Sequence, residues 1–264
     1  MTEFVRLLHE GGIAHLVLND DATRNSLSEG MMAALQEAFD ACDLDKSIQV
    51  IVVSASGKIF SSGHNLKQLT AHRDDSDKGA AYYASIFDTC ARLMVTISQH
   101  RCAVIAEVDG LASAAGCQLV ASCDLAYGSP RASFCTPGVS IGLFCSTPMV
   151  ALSRNVASKH ALEMLLTGDV VDADFAFRAG LINAVIAQNE LHTHVLNVAD
   201  KIAAKSGAAI SYGKRAFHEQ RVMPLEQAYA FTAGVMTRNM LDGAACEGLD
   251  AFINKRQPDW PTLT

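Results

Sequence analysis

The sequence has few charged residues for its length and no excess of basic ones. Of its 264 residues 19% are charged and half are hydrophobic, and the net charge is −7. This balance argues against a general nucleic-acid or anionic-membrane surface, although a local group of Lys and Arg could still bind a phosphate. The length and hydrophobic content suffice for a full core, as one large domain or one domain with an appendage.

Targeting and membrane signals are also missing from the sequence. Residues 1–8 carry charges and have no apolar core, so no secretory signal is predicted. The longest apolar stretch, around residues 102–108, is interrupted by Glu107 and followed by Asp109, so no membrane span is predicted. We therefore expect a cytoplasmic protein.

The eight cysteines follow neither a metal-binding nor a disulfide pattern. Cys117 and Cys123 are too far apart to form a CxxC pair. In a chain of this length without a secretory signal, cysteines are more often buried thiols than a disulfide framework. The sequence thus predicts free thiols and no metal site.

Strand and helix patterns alternate over most of the chain. Nearly continuous, β-branched apolar residues at 48–54 and apolar residues at 103–108 favour strands buried on both faces, with a helix over 80–99 between them. Asp172 is a favoured N-cap, and Gly180 a favoured C-terminal stop, for a short helix. The further predicted elements are strands at 13–18, 125–127, 132–135 and 181–186, and helices at 148–155, at 158–167 and from a capping box at 26–29 to about residue 43.

The strand pattern ends near residue 190, and only helical patterns follow. This change predicts a division into a first region of residues 1–195 and a helical region of residues 196–264. No low-complexity linker separates the two regions, so we expect them to pack together.

Two loops that follow apolar strand-like runs contain glycine: residues 60–66 (FSSGHNL) and residues 109–118 (DGLASAAGCQ). A strand that ends in a glycine turn and leads into a helix presents unpaired backbone N–H groups, which can bind an anion or a developing oxyanion. The N–H groups of His64 and Ala115 are the candidates. Either loop alone is more often a simple turn, but the pair favours an oxyanion hole.

The two loops resemble those of the enoyl-CoA hydratase/isomerase (crotonase) superfamily. The resemblance extends over nearly the whole chain, through RNSL at 24–27, CDLA at 123–126, TG at 167–168, AGLI at 179–182 and EGLDAFINKR at 247–256. Within the superfamily, residues 115–124 (AGCQLVASCD) and 142–148 (GLFCSTP) resemble most the members grouped with enoyl-CoA hydratase domain-containing protein 3.

The resemblance implies an α/β crotonase fold: a ββα spiral domain with a helical C-terminal trimerisation region, assembled as a homotrimer or a dimer of trimers. It implies a lyase or isomerase of fatty-acid metabolism that takes an acyl-CoA thioester and holds no permanent cofactor, coenzyme A being part of the substrate. The thioester oxygen would lie between the N–H groups of His64 and Ala115. The implied substrate-binding residues are Arg24, Ser26, Lys58, Ser62, Asn65, Leu66, Leu111, Ser113, Gly116, Pro137 and Ser146.

Positive side chains are needed for the phosphates of coenzyme A. Arg24 and Lys58 are the first candidates, since both lie close to the ligand loops of the family, and Lys67 and Lys255 are weaker ones. Each of these is more often simply a solvated charge.

The chain departs from the family hydratases at the two positions of their catalytic glutamates, which are Gln118 and Gly138 here. One such carboxylate takes a proton from water and the other serves the α-carbon, and each is typically worth about 10² to 10⁴ in rate. The Gln118 amide can hold a water but cannot accept its proton. Ser146, near which other members have an acid, is a poor substitute. The sequence therefore predicts acyl-CoA binding without ordinary hydratase activity, and a non-catalytic acyl-CoA-binding or partner subunit stays open.

Other candidate groups have competing explanations. An oxyanion hole alone could still favour enolate-forming steps such as decarboxylation, and the His64 side chain could lie near the pocket. Cys117 and Cys145 could too, but a free cysteine usually packs as a small hydrophobe. Residues 138–142 (GVSIG) match a nucleophile elbow, which makes a serine hydrolase with Ser140 the minor alternative, although Pro137 interrupts any preceding strand.

Overall fold

The computed structural model describes residues 4–261 and confirms the α/β class, with ten strands and eleven α-helices in that range. Residues 1–3, part of the segment examined for a secretory signal, and residues 262–264, part of the predicted helical region, lie outside it. The strands are β1 (Val5–Glu10), β2 (Ile13–Leu18), β3 (Val50–Ala55), β4 (Ile59–Ser61), β5 (Ala103–Val108), β6 (Leu111–Ser113), β7 (Leu125–Gly128), β8 (Ser133–Cys135), β9 (Val171–Asp172) and β10 (Ala184–Val185).

The helices alternate with the strands as far as β10 and then follow one another without interruption. They are α1 (Glu29–Leu44), α2 (Leu66–Ala71), α3 (Ala80–Gln99), α4 (Ala115–Ser122), α5 (Ser146–Asn155), α6 (Ser158–Thr167), α7 (Ala173–Ala179), α8 (Leu191–Ala203), α9 (Gly207–Gln220), α10 (Leu225–Met240) and α11 (Gly243–Ile253).

A six-stranded sheet of order β1-β2-β3-β5-β7-β10 forms the centre of the molecule, antiparallel at β1-β2 and parallel elsewhere. Val50, Ile51, Val52 and Val53 of β3 are fully buried. Alternate residues of this strand pack into different cores, one with α1, α3 and α4 and the other with α8. Burial on both faces explains why the predicted strand is apolar at successive positions.

A second sheet, of order β4-β6-β8-β9, carries the two glycine loops. Its strands β4 and β6 are parallel, so both end at the same edge of the sheet. The glycine loop of residues 60–66 leaves from the end of β4 and the second glycine loop leaves from the end of β6. The topology thus brings the two loops side by side.

Several boundaries differ from the predicted ones for identifiable reasons. Helix α1 begins at Glu29 because Ser28 is its N-cap, accepting the Met31 N–H at 3.2 Å, whereas the Ser26 hydroxyl donates to Thr23. The strand predicted at 181–186 is reduced to β10. Strands β1, β4, β6 and β9 and helix α2 were not predicted, and apart from β1 each of these is too short to show a periodic pattern.

The predicted caps around α7 and the all-helical C-terminal part are confirmed. Asp172 accepts the Phe175 N–H at 2.7 Å, and Gly180 ends α7 with a φ of +88°. From residue 191 onward the described chain forms the four helices α8 to α11 and no strand. Residue 195 lies inside α8, which packs on the central sheet, and the division of the chain at this residue remains a prediction.

Candidate active site

The two glycine loops touch each other at two points, and at each point one of the two residues in contact is a glycine. A β-carbon on Gly63, whose φ is +85°, would lie 2.9 Å from the Ala114 β-carbon and 3.2 Å from the Ala115 nitrogen. A β-carbon on Gly116 would lie 2.5 Å from the Ser61 carbonyl oxygen. The distances of 2.9 Å to the Ala114 β-carbon and 2.5 Å to the Ser61 oxygen are too short for a real β-carbon, so the approach of the loops depends on these two glycines.

This contact places Gly63, the residue before His64, next to the backbone nitrogen of Ala115. Ala115 is the first residue of α4, where an N–H has no partner inside the helix. Ala114 before it has the strained values φ 49° and ψ −115°, and its N–H donates to the Cys135 carbonyl at 2.9 Å. Within residues 4–261, neither the His64 N–H nor the Ala115 N–H donates to another backbone or side-chain acceptor. Two N–H groups without an acceptor are therefore on the two loops in contact, and Ala115 is at the positive end of α4.

A buried asparagine that the sequence analysis missed supports the first loop. Asn25 is fully buried, and its Nδ2 donates to the Ser56 and Ile59 carbonyls at 3.0 and 2.8 Å. Its Oδ1 accepts the Asp20 N–H at 2.8 Å. Two residues later the Leu27 N–H donates to the Gly63 carbonyl at 2.8 Å. No periodic pattern marks a residue that acts through such non-local bonds.

The imidazole of His64 is enclosed without a hydrogen-bond partner. Its ring packs edge-on against Phe87 of α3, with centroids 5.3 Å apart. Both ring nitrogens are buried, and neither has a partner among the described residues. Burial lowers the pKa of His64, an effect that the nearby Leu27 backbone partly offsets. The ring is therefore neutral at neutral pH.

The two positions without the expected glutamates differ in the space they offer. Gln118 of α4 is 3% exposed, and its Oε1 is buried without a partner in the part of the chain described. A β-carbon on Gly138 would lie 2.5 Å from the Leu143 carbonyl oxygen and 2.9 Å from the Cys145 Sγ. A longer side chain thus fits at residue 118, but at residue 138 it requires the backbone to move.

Most of the predicted polar contacts are already used inside the protein. The Ser26 hydroxyl donates to Thr23 Oγ1 at 2.9 Å, and the Ser62 hydroxyl donates to the Thr23 carbonyl at 3.2 Å. Ser113 Oγ accepts from the Cys135 thiol at 3.3 Å. Asn65 Oδ1 caps α2 by accepting two N–H groups of its first turn. These side chains fix the loops, which leaves the backbone as the main polar lining.

The remaining predicted residues lie around the two loops. Leu66 begins α2 and is 52% exposed, and Leu111 begins β6. Pro137 begins the short 3₁₀ helix Pro137–Ile141, and exposed Ser146 begins α5. The candidate phosphate ligands are all exposed: Arg24, Lys58, Lys67 and Lys255.

The structure does not support the nucleophile elbow. Ser140 is exposed within the 3₁₀ helix Pro137–Ile141 and not at a turn that leads directly from a strand into an α-helix. No hydrogen bond joins its hydroxyl to a histidine of the described chain, so a base in position to activate the hydroxyl is absent there.

Cys117 and Cys145 are buried, as the packing interpretation requires, and burial raises the pKa of both thiols.

All eight cysteines are free thiols, as predicted, and six of them are buried; Cys246 is exposed. The described residues contain no cluster of His, Cys, Asp and Glu that could hold a metal ion. They also include no helix of the length and hydropathy needed to cross a membrane.

A cleft of about 1340 Å³ opens between α3, α5, α8 and α9, beside the end of α4. Gln118 lines this cleft, whereas His64 and Ala115 do not. The cleft therefore reaches the second glycine loop at Gln118.

Known proteins resemble the chain over nearly its full length. The family model described as enoyl-CoA hydratase/isomerase matches residues 9–262. Enoyl-CoA hydratase domain-containing protein 3, mitochondrial, of Xenopus laevis is 44% identical over 259 residues, which are 98% of this chain and 86% of the relative. The Homo sapiens protein of the same name is 45% identical over 249 residues, 94% of this chain and 80% of the relative.

Solved structures agree with this relationship. The crystal structure of human enoyl-CoA hydratase domain-containing protein 3 superposes with a TM-score of 0.92 at 43% identity, over 97% of this chain and all of that one. The crystal structure of an enoyl-CoA hydratase of Mycobacterium smegmatis superposes with a TM-score of 0.90 at 43% identity, over 97% of this chain and 98% of that one. The crotonase fold and the likeness to domain-containing protein 3 are thus confirmed.

One prediction is wrong. The relatives from Xenopus laevis and Homo sapiens are named mitochondrial proteins, which contradicts the cytoplasmic location expected from the sequence. That expectation rested on a missing secretory signal, which does not distinguish the cytoplasm from an organelle.

Both the matched family and the matched structures cover almost every residue, and the chain belongs to the enoyl-CoA hydratase/isomerase family.

Proposed function

We propose that this protein binds an acyl-CoA thioester with its carbonyl oxygen between the N–H groups of His64 and Ala115. The observation that carries the proposal is the contact between the loops, in which the Gly63 β-carbon position lies 3.2 Å from the Ala115 nitrogen. Donors held in place before the substrate arrives stabilise a developing enolate oxygen without reorganisation. The α4 N-terminus adds its partial positive charge.

Coenzyme A would be held near the exposed side of the first loop, as part of the substrate and not as a permanent cofactor. Arg24 supports this placement because its own carbonyl accepts the Ser62 N–H at 3.1 Å, next to the proposed hole. Lys58 directly precedes β4, and its carbonyl approaches Gly110 of the second glycine loop. Lys58 therefore also lies beside the two loops. Both side chains are exposed and free to meet phosphates.

The reaction supported best is slow chemistry at the α-carbon, within the lyase or isomerase repertoire of the family. Enolate formation needs the oxyanion hole, whereas hydration also needs groups that move protons. Gln118 and Gly138 supply no carboxylate, so we expect ordinary hydration to be weak. The missing carboxylates equally favour a second candidate, a non-catalytic acyl-CoA-binding subunit.

Proton exchange separates the two candidates. The purified protein is incubated with a saturated acyl-CoA in deuterated water, and exchange at the α-carbon is followed by NMR. Binding in calorimetry together with exchange above the protein-free rate supports the catalytic proposal. Binding without exchange selects the non-catalytic subunit, and no binding of acyl-CoA contradicts both. Disappearance of crotonyl-CoA, measured in parallel, tests hydration itself.

We further propose assembly as a homotrimer or a dimer of trimers through the C-terminal helices. Helix α10 buries none of its sixteen residues. Large apolar side chains on α10 and α11 are exposed, including Leu225 at 67%, Tyr229 at 70% and Phe252 at 84%. Exposed apolar residues of this kind mark contact surfaces. Light scattering on the purified protein measures the oligomeric state.

For the location in the cell, the names of the relatives point to the mitochondrion.

A further inference from the structure

The cleft beyond Gln118 carries much more positive than negative charge. Its lining includes five Lys and Arg residues and one carboxylate, although the whole chain has a net charge of −7. The charged residues are Arg154, Lys201, Lys205, Lys214, Arg221 and Asp124. A basic cavity in an acidic protein points to an anionic group in its ligand.

The cleft leads away from the proposed oxyanion hole. Gln118 is the lining residue of α4 nearest to the proposed hole, about one helical turn from Ala115, and the lining residue Thr147 follows Ser146 in sequence. Asp124, which follows the other end of α4, also lines the cleft, and its carboxylate lies 2.7 Å from the Lys214 ammonium. Gln118 is thus the point where a substrate chain would leave the site and enter the cleft.

The walls between the two ends suit an acyl chain. Along α3 the lining residues run from Ala91 to Gln99, a rise of about 12 Å. The apolar lining residues include Met94 and Val95 on this helix, and Val150 and Phe217 face the same space from α5 and α9. A largely apolar cleft with a few charged groups orients a ligand that has a charge at one end.

Most of the cations are available to such a charge. Lys214 already pairs with Asp124. Lys201 at the end of α8 and Lys205 just after it form no ion pair with any described residue, and within the same range Arg154 and Arg221 donate only to backbone carbonyls. Four positive charges therefore lack a carboxylate partner.

We propose that the preferred substrate is a CoA thioester whose acyl chain ends in a carboxylate, and that the basic cleft binds this distal carboxylate. The inference rests on the proposed function, because it requires the thioester carbonyl to lie at His64 and Ala115. Lys201 and Lys205 are the residues assigned to the carboxylate, since both are exposed and unpaired, with Lys201 in the last turn of α8 and Lys205 just beyond its end.

The test compares two saturated ten-carbon thioesters by calorimetry: decanoyl-CoA and its analogue with a carboxylate at the far end. We expect the wild-type protein to bind the carboxylate-terminated thioester about five-fold more tightly, as for a partly exposed ion pair. The Lys201→Gln/Lys205→Gln protein should lose this preference. Lys159→Gln/Arg178→Gln, which removes the same charge from exposed positions outside the cleft, should keep it.

Each other outcome has a distinct meaning. Equal wild-type affinities overturn the inference while supporting the proposed acyl-CoA binding, and failure to bind either thioester contradicts the proposed function itself. A preference that survives in Lys201→Gln/Lys205→Gln also overturns the assignment. If that protein loses affinity for both thioesters equally, the cations bind the phosphates of coenzyme A, and the distal-carboxylate inference fails.

Discussion

Gly63 lies so close to Ala114 that a β-carbon on residue 63 would be 2.9 Å from the Ala114 β-carbon. The same missing side chain leaves residue 63 beside the Ala115 nitrogen and lets its backbone adopt a φ of +85°. One glycine thus satisfies two separate requirements, a backbone conformation and a close approach. The proposed oxyanion hole depends on the second.

Replacing Gly63 with alanine is expected to separate the loops and weaken acyl-CoA binding by at least about ten-fold, the effect of losing roughly 1.4 kcal/mol of binding free energy. The matched control is Gly11→Ala, because Gly11 also has a positive φ, of +56°, but its β-carbon would meet nothing within 4 Å. Both variants should lose about 1 kcal/mol of unfolding free energy through backbone strain. Equal affinities in calorimetry would show that the loop contact does not form the binding site.

The two substituted acid positions are expected to respond differently to restoration of the glutamate. Gln118→Glu places a carboxylate where a long side chain already fits, so hydration of crotonyl-CoA should rise by about 10² or more. Gly138→Glu must displace the Leu143 carbonyl, which would lie 2.5 Å from the new β-carbon, so it should lower the melting temperature and add no rate.

The control for this comparison is Gly138→Ala, which adds the β-carbon without the carboxylate. It should lower the melting temperature nearly as much as Gly138→Glu if the backbone clash is the cause. A stable Gly138→Glu protein whose hydration rate exceeds that of Gln118→Glu would contradict the steric argument.

The sequence predicts the parts of this fold that have periodic or capping signals. The buried strands β3 and β5, the long helix α3 and the caps Asp172 and Gly180 all have local causes that a single sequence displays. Strands of two or three residues, such as β4 and β9, have no room for a pattern. Their pairing is decided by distant segments.

The candidate site likewise has features that the sequence shows and features that it does not. Gly63 and Gly116 are visible as turn residues, and the family resemblance identifies their partners. Nothing local reveals that Asn25 joins three backbone groups across more than thirty residues, that His64 packs against Phe87, or that a side chain at residue 138 would meet Leu143. These facts depend on how separate elements pack.

Asn25→Ala tests the support of the first loop. The substitution leaves the Ser56 and Ile59 carbonyls and the Asp20 N–H without their buried partner, so it should reduce the unfolding free energy by about 2–3 kcal/mol. Asn254→Ala, which removes an exposed carboxamide bonded only to Asp250, should change it by less than about 0.5 kcal/mol. Urea denaturation measures both, and similar losses would contradict a supporting role for Asn25.

His100 should make the folded protein less stable as the pH falls below about 6.5, the usual pKa of an unfolded histidine. Its Nδ1 accepts the Cys102 N–H at 3.1 Å, so its Nε2 carries the proton and donates to the Phe39 carbonyl at 3.1 Å. Burial, chiefly, lowers the pKa of His100. The hydrogen bond to the Phe39 carbonyl and the charge of Asp43 oppose this effect, and the charges of Lys214 and Arg101 add to it.

Because the folded pKa lies below the unfolded one, the unfolded chain binds the extra proton in this range, and stability falls with pH until the folded ring is protonated too. His100→Asn should therefore show a lower unfolding free energy at pH 7 but a smaller decrease between pH 7 and pH 5 than the wild-type protein. His160→Asn, at a half-exposed position on α6, should leave that decrease unchanged. Urea denaturation at several pH values measures these slopes, and an unchanged slope in His100→Asn would assign the pH dependence to other groups.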